Sequence, residues 1–345
     1  MSLLTKQQYK NSLNKKIDNL PIPLMMGFHP KAFEDCGYPT TISKKSDLKK
    51  FVDHNFEYGI DEIFKKDGHH SVIAYKNLFT SYEVQKLKKI RELIGKFTKK
   101  NYNSCIKPIG NLLVQSGPWR AIEQINSYFF KNKQLKIFEI GPGHGYLGAL
   151  LSLVEYKYYS YDVTESLYLW QNHLLNCVNN GKLNEYLITN PKKFGSSKIG
   201  HLSWWQFCDF FVDNKLKGFD IVYSNSNLCE MHPIALKINL AACRELIKDS
   251  EIGVLMFFSE GSPSFGNKES INSQIISNGF QLLFTEPFNC YCLHNKSSSS
   301  LKKIFKNGIN FLNKGDSFFE VKDFIDFNKN LPLDFSLTKK FYLNN

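Results

Sequence analysis

Lys136-Ile137-Phe138-Glu139-Ile140-Gly141-Pro142-Gly143-His144-Gly145-Tyr146-Leu147-Gly148 reads as a buried strand ending in an acid, then a glycine-rich turn, then the start of a helix. Glycines at alternate positions let the backbone take angles closed to other residues and pass close to a ligand. At the C-terminal end of a first parallel strand, such a turn is where open α/β sheets hold nucleotide-like ligands. Glu139 stands two residues before Gly141. The resulting order, acid-x-Gly-x-Gly-x-Gly, departs from the dinucleotide fingerprint Gly-x-Gly-x-x-Gly.

The residues that follow keep the order of a ligand-binding βαβ unit. Tyr146 to Val154 has the apolar density of a buried crossover helix, and Tyr158-Tyr159-Ser160-Tyr161-Asp162 is a short aromatic strand that again ends in an acid. A carboxylate about 20 residues after the turn can accept both hydrogen bonds of a ribose diol. The plain alternatives are a tight turn with a solvated Asp162, or an NAD site, which fits the ribose acid but not the glycine spacing.

With 345 residues, 42% of them hydrophobic, the chain can bury one large core and a smaller lobe. No apolar stretch reaches the ~18 residues that cross a bilayer. The start, Met1-Ser2-Leu3-Leu4-Thr5-Lys6, lacks the apolar core of a signal peptide, so a cytoplasmic protein is expected. Eight scattered cysteines without a Cys-x-x-Cys pair read as buried thiols rather than disulfides or zinc ligands, and no metal is expected. The net charge of +12 is uneven: residues 1–120 carry +10, residues 121–300 carry −1 and residues 301–345 carry +3. Basic flanks favour anionic partners such as sugar nucleotides, phosphorylated glycans or RNA; solvated lysine faces are the plain alternative.

Three regions are expected. Residues 1–118 form a mainly helical lid and acceptor-binding region. Its clearest element is an amphipathic helix from Ser81 to Lys99, with Val84, Leu87, Ile90, Leu93, Ile94 and Phe97 at helical spacing. The Asp67-Gly68-His69-His70 stretch reads as turn chemistry. Residues 119–295 form the ligand-binding sheet domain. Pro118 and Trp119 open a helix running to Phe130. After the first two strands, further strands are expected at 198–203, 219–224 and 253–258, with helices from Thr164 to Val178, from Trp204, and from Pro233 to about Lys248. The runs 279–284 and 289–294 would pair as a closing hairpin. The fold class is α/β, a doubly wound, mostly parallel, seven-stranded sheet. Residues 296–345 read as a tail of polar helical pieces folding back on this domain.

The fourth strand empties into Ser224-Asn225-Ser226-Asn227-Leu228-Cys229-Glu230-Met231-His232-Pro233, polar where a plain connection needs one cap residue. Substrate sits here in open α/β sheets, beside the cofactor. Asn227, Glu230 and His232 can each reach a substrate hydroxyl, and His232 or Glu230 is the candidate catalytic base. Histidine titrates near neutrality, whereas a glutamate needs a raised pKa to serve. The bland alternative makes His232 the neighbour of a helix start and Glu230 a satisfied loop acid. His144 is a turn residue, or else a cofactor or substrate contact.

The acid-x-Gly-x-Gly-x-Gly turn resembles motif I of the class I S-adenosylmethionine-dependent methyltransferases. The resemblance implies a Rossmann-like fold and S-adenosyl-L-methionine as cofactor. It also implies Gly141, Gly143 and Gly145 against the amino-acid part of that cofactor, with Glu139 holding its ammonium group. The same resemblance implies that Ser224 and Asn225 border the cofactor and that Asp162 and Val163 meet its ribose and adenine edge. It implies too that Leu202, Ser203 and Trp204 line the adenine side, unless Trp204 is a core residue. Asn225-Ser226 and Glu230-Met231 resemble the Asn-Ser and Glu-Met pairs of the sugar O-methyltransferases found near bacterial surface-polysaccharide genes, with Asn227 and Leu228 where that family has Ser and Phe. This second resemblance implies O-methylation of a sugar or sugar-nucleotide hydroxyl in polysaccharide biosynthesis, on a small, anionic acceptor. A natural-product methyltransferase, an RNA methyltransferase and a non-catalytic cofactor-binding scaffold stay open. Nucleic-acid bases are disfavoured, because the fourth strand lacks the Asn/Asp-Pro-Pro-Tyr/Phe motif that clasps a flipped base.

Overall fold

The computed structural model describes residues 4–16, 78–103, 105, 112, 115–188, 194–195, 197–225, 227–228, 231, 233–257, 271–284, 289–294 and 318–320. In chain order the elements are α1 (Lys6–Asn14), β1 (Leu78–Thr80), α2 (Ser81–Tyr102), α3 (Ser116–Phe129), β2 (Lys136–Ile140), α4 (Tyr146–Leu153), β3 (Lys157–Asp162), α5 (Glu165–Val178), β4 (Asn184–Glu185), β5 (Ile199–Ser203), α6 (Trp204–Val212), β6 (Ile221–Ser224), α7 (Pro233–Ile247), β7 (Val254–Phe257), α8 (Ile271–Ser277), β8 (Gln281–Phe284), β9 (Asn289–Cys292) and β10 (Phe318–Glu320).

Strands alternating with helices must pair in parallel, because each helix carries the chain back to the starting edge. Eight strands form one sheet in the order β4-β5-β3-β2-β6-β7-β9-β8. β4 to β7 are parallel throughout, and β9 runs antiparallel to both β7 and β8. The chain winds outward from β2 in both directions, so the switch point lies between β2 and β6. Their C-terminal ends open the crevice where such sheets hold ligands. This is a doubly wound, Rossmann-like order, closed at one edge by the expected hairpin.

Side-chain alternation divides β3 between two layers. Tyr158, Ser160 and Asp162 share a face with Glu139 of β2, under α4 and α5. Tyr159 and Tyr161 take the other face, where Tyr161 stacks on Phe207 of α6 at 4.1 Å between ring centroids and its hydroxyl meets Asn239 of α7. Helices on both faces leave β2, β5, β6 and β7 almost fully buried, as a parallel sheet requires.

The structure corrects the expected layout in several places. The sheet has eight strands, because Asn184–Glu185 pairs with Gly200 and His201 at the β5 edge; two residues are too few to show a period. α3 begins at Ser116, ahead of Pro118 and Trp119. Pro118 still falls in the first turn, where a missing N–H removes no helical hydrogen bond. α1, capped by Thr5 and Gln8, was not expected. It lies across the first turns of α5 and α6, with the Tyr9 ring 5.3 Å from Tyr168 and 5.0 Å from Trp205, and Lys10 Nζ 2.7 Å from Glu165. Finally, the described piece of the tail is a strand rather than a helix: β10 pairs antiparallel with β1.

α2 is longer than expected at its C-terminal end. Its first turn is fixed by a Thr80–Glu83 capping box, and the Glu83 carboxylate also forms a buried ion pair with Arg120 of α3. His69 and His70 lie outside the described residues. Among the described residues no helix is long and apolar enough to cross a membrane.

Candidate functional site

The turn after β2 has three glycines in the left-handed region, at φ 61° for Gly141, 54° for Gly143 and 69° for Gly145, where any side chain is strained. A Cβ added at Gly143 would meet nothing within 4 Å, so this part of the turn borders open space. Gly145 is the N-cap of α4 and brings no side chain to its first N–H groups. That helix start therefore faces the crevice as a site for an anionic group.

Protein donors hold the turn's carbonyls. Gln171 Nε2 donates to Gly143 O at 2.6 Å and Trp170 Nε1 to His144 O at 3.1 Å, both from α5. From the other side Asn227 Nδ2 donates to Ile140 O at 2.6 Å and to Gly141 O at 3.0 Å. Four acceptors are thus tied into the protein, which fixes the turn without a ligand.

Two buried carboxyls flank the turn. Tyr158 donates its hydroxyl to Glu139 Oε2 at 2.6 Å. The ring reaches that position only because Gly148 lies over it; a Cβ there would come 2.4 Å from the ring. Burial pushes the Glu139 carboxyl up to about 8, against the Tyr158 hydrogen bond, with the Asp162 charge adding to the rise. Burial likewise raises Asp162 to about 6, opposed by the Thr164 N–H and the Gln171 amide. Those two donors lie 3.0 Å from Oδ1 and 2.8 Å from Oδ2. The Val163 N–H is a further donor to this buried carboxyl. Among the described residues no lysine or arginine pairs with either carboxyl. A cation arriving beside Glu139 would ionise it, because an opposite charge favours the charged form.

Several expected contacts have other tasks. Ser224 and Asn227 are buried; the Ser224 hydroxyl donates to Asn227 Oδ1, and the Asn227 amide is spent on the turn. Neither side chain is open to cofactor or substrate, and together they clamp the turn from β6. Ser203 caps α6 with Gln206. Leu202 is fully buried, and Trp204 packs edge-on against Trp205. Val163 and Asn225 are half-buried at the strand ends. The His144 ring stacks on Tyr146 at 5.7 Å. Glu230 and His232 lie outside the described residues.

Sequence reasoning missed Gln171 and Tyr158. The signal for Gln171 was a polar residue one turn from Leu167 and Leu174, inside an otherwise apolar helix face. Tyr158 carried no signal beyond its place in an aromatic strand. Among the described residues no group of three or more His, Cys, Asp or Glu side chains could hold a metal ion.

No protein-family model and no curated protein sequence matches the chain. Among solved structures it is similar to magnesium protoporphyrin IX methyltransferase from Synechocystis PCC 6803 with bound S-adenosylmethionine, at 12% identity over 61% of this chain and 97% of that one, with a TM-score of 0.36. A TehB-like methyltransferase from Corynebacterium glutamicum is 13% identical over 53% and 95% of the two chains, at 0.34. The StiE O-methyltransferase segment is 13% identical over 59% and 67%, at 0.32. Likenesses this distant add nothing to the fold, which rests on the strand order and register.

Proposed function

We propose that this chain is an S-adenosylmethionine-dependent methyltransferase that methylates a hydroxyl of a sugar or sugar nucleotide. The observation that carries this reading is the left-handed glycine turn at the switch point, set between two buried carboxyls with no basic partner among the described residues. The chemistry of the donor set suits the cofactor. Glu139 complements its ammonium, the Asp162 carboxyl complements its ribose diol, and the α4 N-terminus complements its carboxylate. When bound, the cofactor supplies a methyl group on a sulfonium sulfur, open to a nucleophile held in line.

The chain's own part is to position and to move a proton. Holding two reactants in line supplies roughly 7–11 kcal/mol of a bimolecular barrier. A base that takes the acceptor's proton adds about 10²–10⁴ in rate. We assign that task to His232 or Glu230 in the loop after β6, with Asn225 orienting the acceptor. Residues 1–118 serve as acceptor lobe and lid; the seating of α1 over the first turns of α5 and α6 supports this. The polar loop, the basic flanks and the Asn-Ser and Glu-Met resemblance support a sugar-like, anionic acceptor. A cytoplasmic setting belongs to the same reading.

The test offers methyl-labelled cofactor with UDP-, GDP- and dTDP-sugars, in parallel with RNA and with aromatic hydroxyl compounds. Label is expected in a sugar nucleotide, and either His232→Ala or Glu230→Gln should cut the single-turnover rate by about 10²–10⁴. Label appearing only in RNA or in the aromatic compounds refutes the sugar acceptor. Cofactor binding without transfer to any of them makes the chain a scaffold.

A further inference from the structure

Below the crevice runs a buried polar chain, one end of which belongs to the site. The Gln171 side chain is fully buried. Its NH₂ donates to Asp162 Oδ2 at 2.8 Å and to Gly143 O at 2.6 Å. Both partners are acceptors, so the amide has one workable orientation, with Oε1 turned the other way. There it meets Nε2 of the fully buried His201 at 3.2 Å. Nε2 is placed to donate a hydrogen there. The other ring nitrogen, Nδ1, lies 2.7 Å from Glu185 Oε2.

Glu185 is held in turn by Asn172 Nδ2 at 2.7 Å, the Leu187 N–H at 3.1 Å and the Tyr168 hydroxyl. The Tyr168 ring also stacks on His201 at 4.1 Å. The short strand β4 puts Glu185 in register with His201. An apolar packing would fill this space without desolvating a carboxylate and an imidazole. The network is worth having only if fully satisfied, and its effect is then to fix the groups at its end.

We propose that Gln171, oriented by the His201–Glu185 pair, is a positioning residue that presets the Asp162 carboxylate and the glycine turn together for the cofactor. The inference rests on the cofactor reading given above. It makes the acid and the turn one unit and gives β4 a role.

The test is a titration of S-adenosylhomocysteine into wild type, Gln171→Leu, Asp162→Asn and the double variant, with His201→Leu and His201→Gln alongside. Thermal unfolding checks that each variant is folded. Gln171→Leu should weaken binding by about tenfold to a hundredfold, the loss of hydrogen bonds to a charged group and to a carbonyl. In the Asp162→Asn background the same change should cost less than about threefold, because the two act through one contact. His201→Gln places an amide N–H near the lost Nε2 and should keep most of the affinity, whereas His201→Leu should not. Packing alone would lower the melting temperatures without this coupling or this rescue. Unchanged affinity in Gln171→Leu, or losses that add, overturns the proposal. Should Gln171→Leu not fold, the wild-type Gln171 amide protons decide: slow solvent exchange supports the network, and fast exchange overturns it. Failure of wild type itself to bind sinks the cofactor reading instead.

Discussion

Replacing Glu139 by Gln should stabilise the free protein at alkaline pH and do little at acid pH. The folded carboxyl holds its proton up to about 8, against an ordinary value of 4.5, because burial outweighs the Tyr158 hydrogen bond. Between those values the unfolded chain has lost a proton that the folded one keeps. Stability therefore falls as pH rises, by about 1.4 kcal/mol per pH unit. From pH 5 to pH 8 the loss from Glu139 comes to on the order of 4 kcal/mol. Asp162, raised to about 6, adds the same slope only below that pH and is common to both proteins. Gln keeps a polar group for the Tyr158 hydroxyl but has no proton to lose. Urea unfolding of wild type and Glu139→Gln at pH 5 and pH 8 measures the difference. It should shift in favour of the variant by about 3–4 kcal/mol between the two pH values. An equal difference at both refutes a neutral, buried Glu139.

Three substitutions probe the supports of the site. Gly148→Ala drives a Cβ into the Tyr158 ring and should cost about 1–3 kcal/mol in chemical denaturation, as overpacking does; a neutral outcome would mean the ring has room to move. Asn227→Ala strips the donor from Ile140 O and Gly141 O and should cost about 1–3 kcal/mol, with weaker S-adenosylhomocysteine binding in calorimetry; full affinity would show that the turn holds its shape unaided. Tyr9→Ala removes the ring packed on Tyr168 and Trp205 and should cost about 3–5 kcal/mol, in the range of a buried aromatic; a loss under about 1 kcal/mol would mean α1 is not seated in solution.

The fold was legible because periodicity and turn chemistry agreed along residues 119–295. Apolar strands, the glycine turn and helix spacing placed β2, β3, β6, β7 and the closing hairpin within a residue or two. β4 was hidden because two residues are too few to show a period; its pairing with β5 brings Glu185 beside His201. The glycines and both acids were legible as chemistry, but their support was not. Asn227 looked like a substrate contact because a polar loop residue carries no mark of which way it points. Only the fold turns it back onto the carbonyls of the turn. Gln171 was hidden by the same ambiguity in a helix, where one polar residue on an apolar face can be a solvated edge or the centre of a buried network.

The most direct measurement of the central claim is a calorimetric titration of S-adenosylhomocysteine into the full chain, with NAD as the comparison and Asp162→Ala as the control. The account predicts one-site binding of S-adenosylhomocysteine, no heat from NAD, and a loss of about 1–3 kcal/mol in the variant. Tight NAD binding with no response to S-adenosylhomocysteine would contradict it.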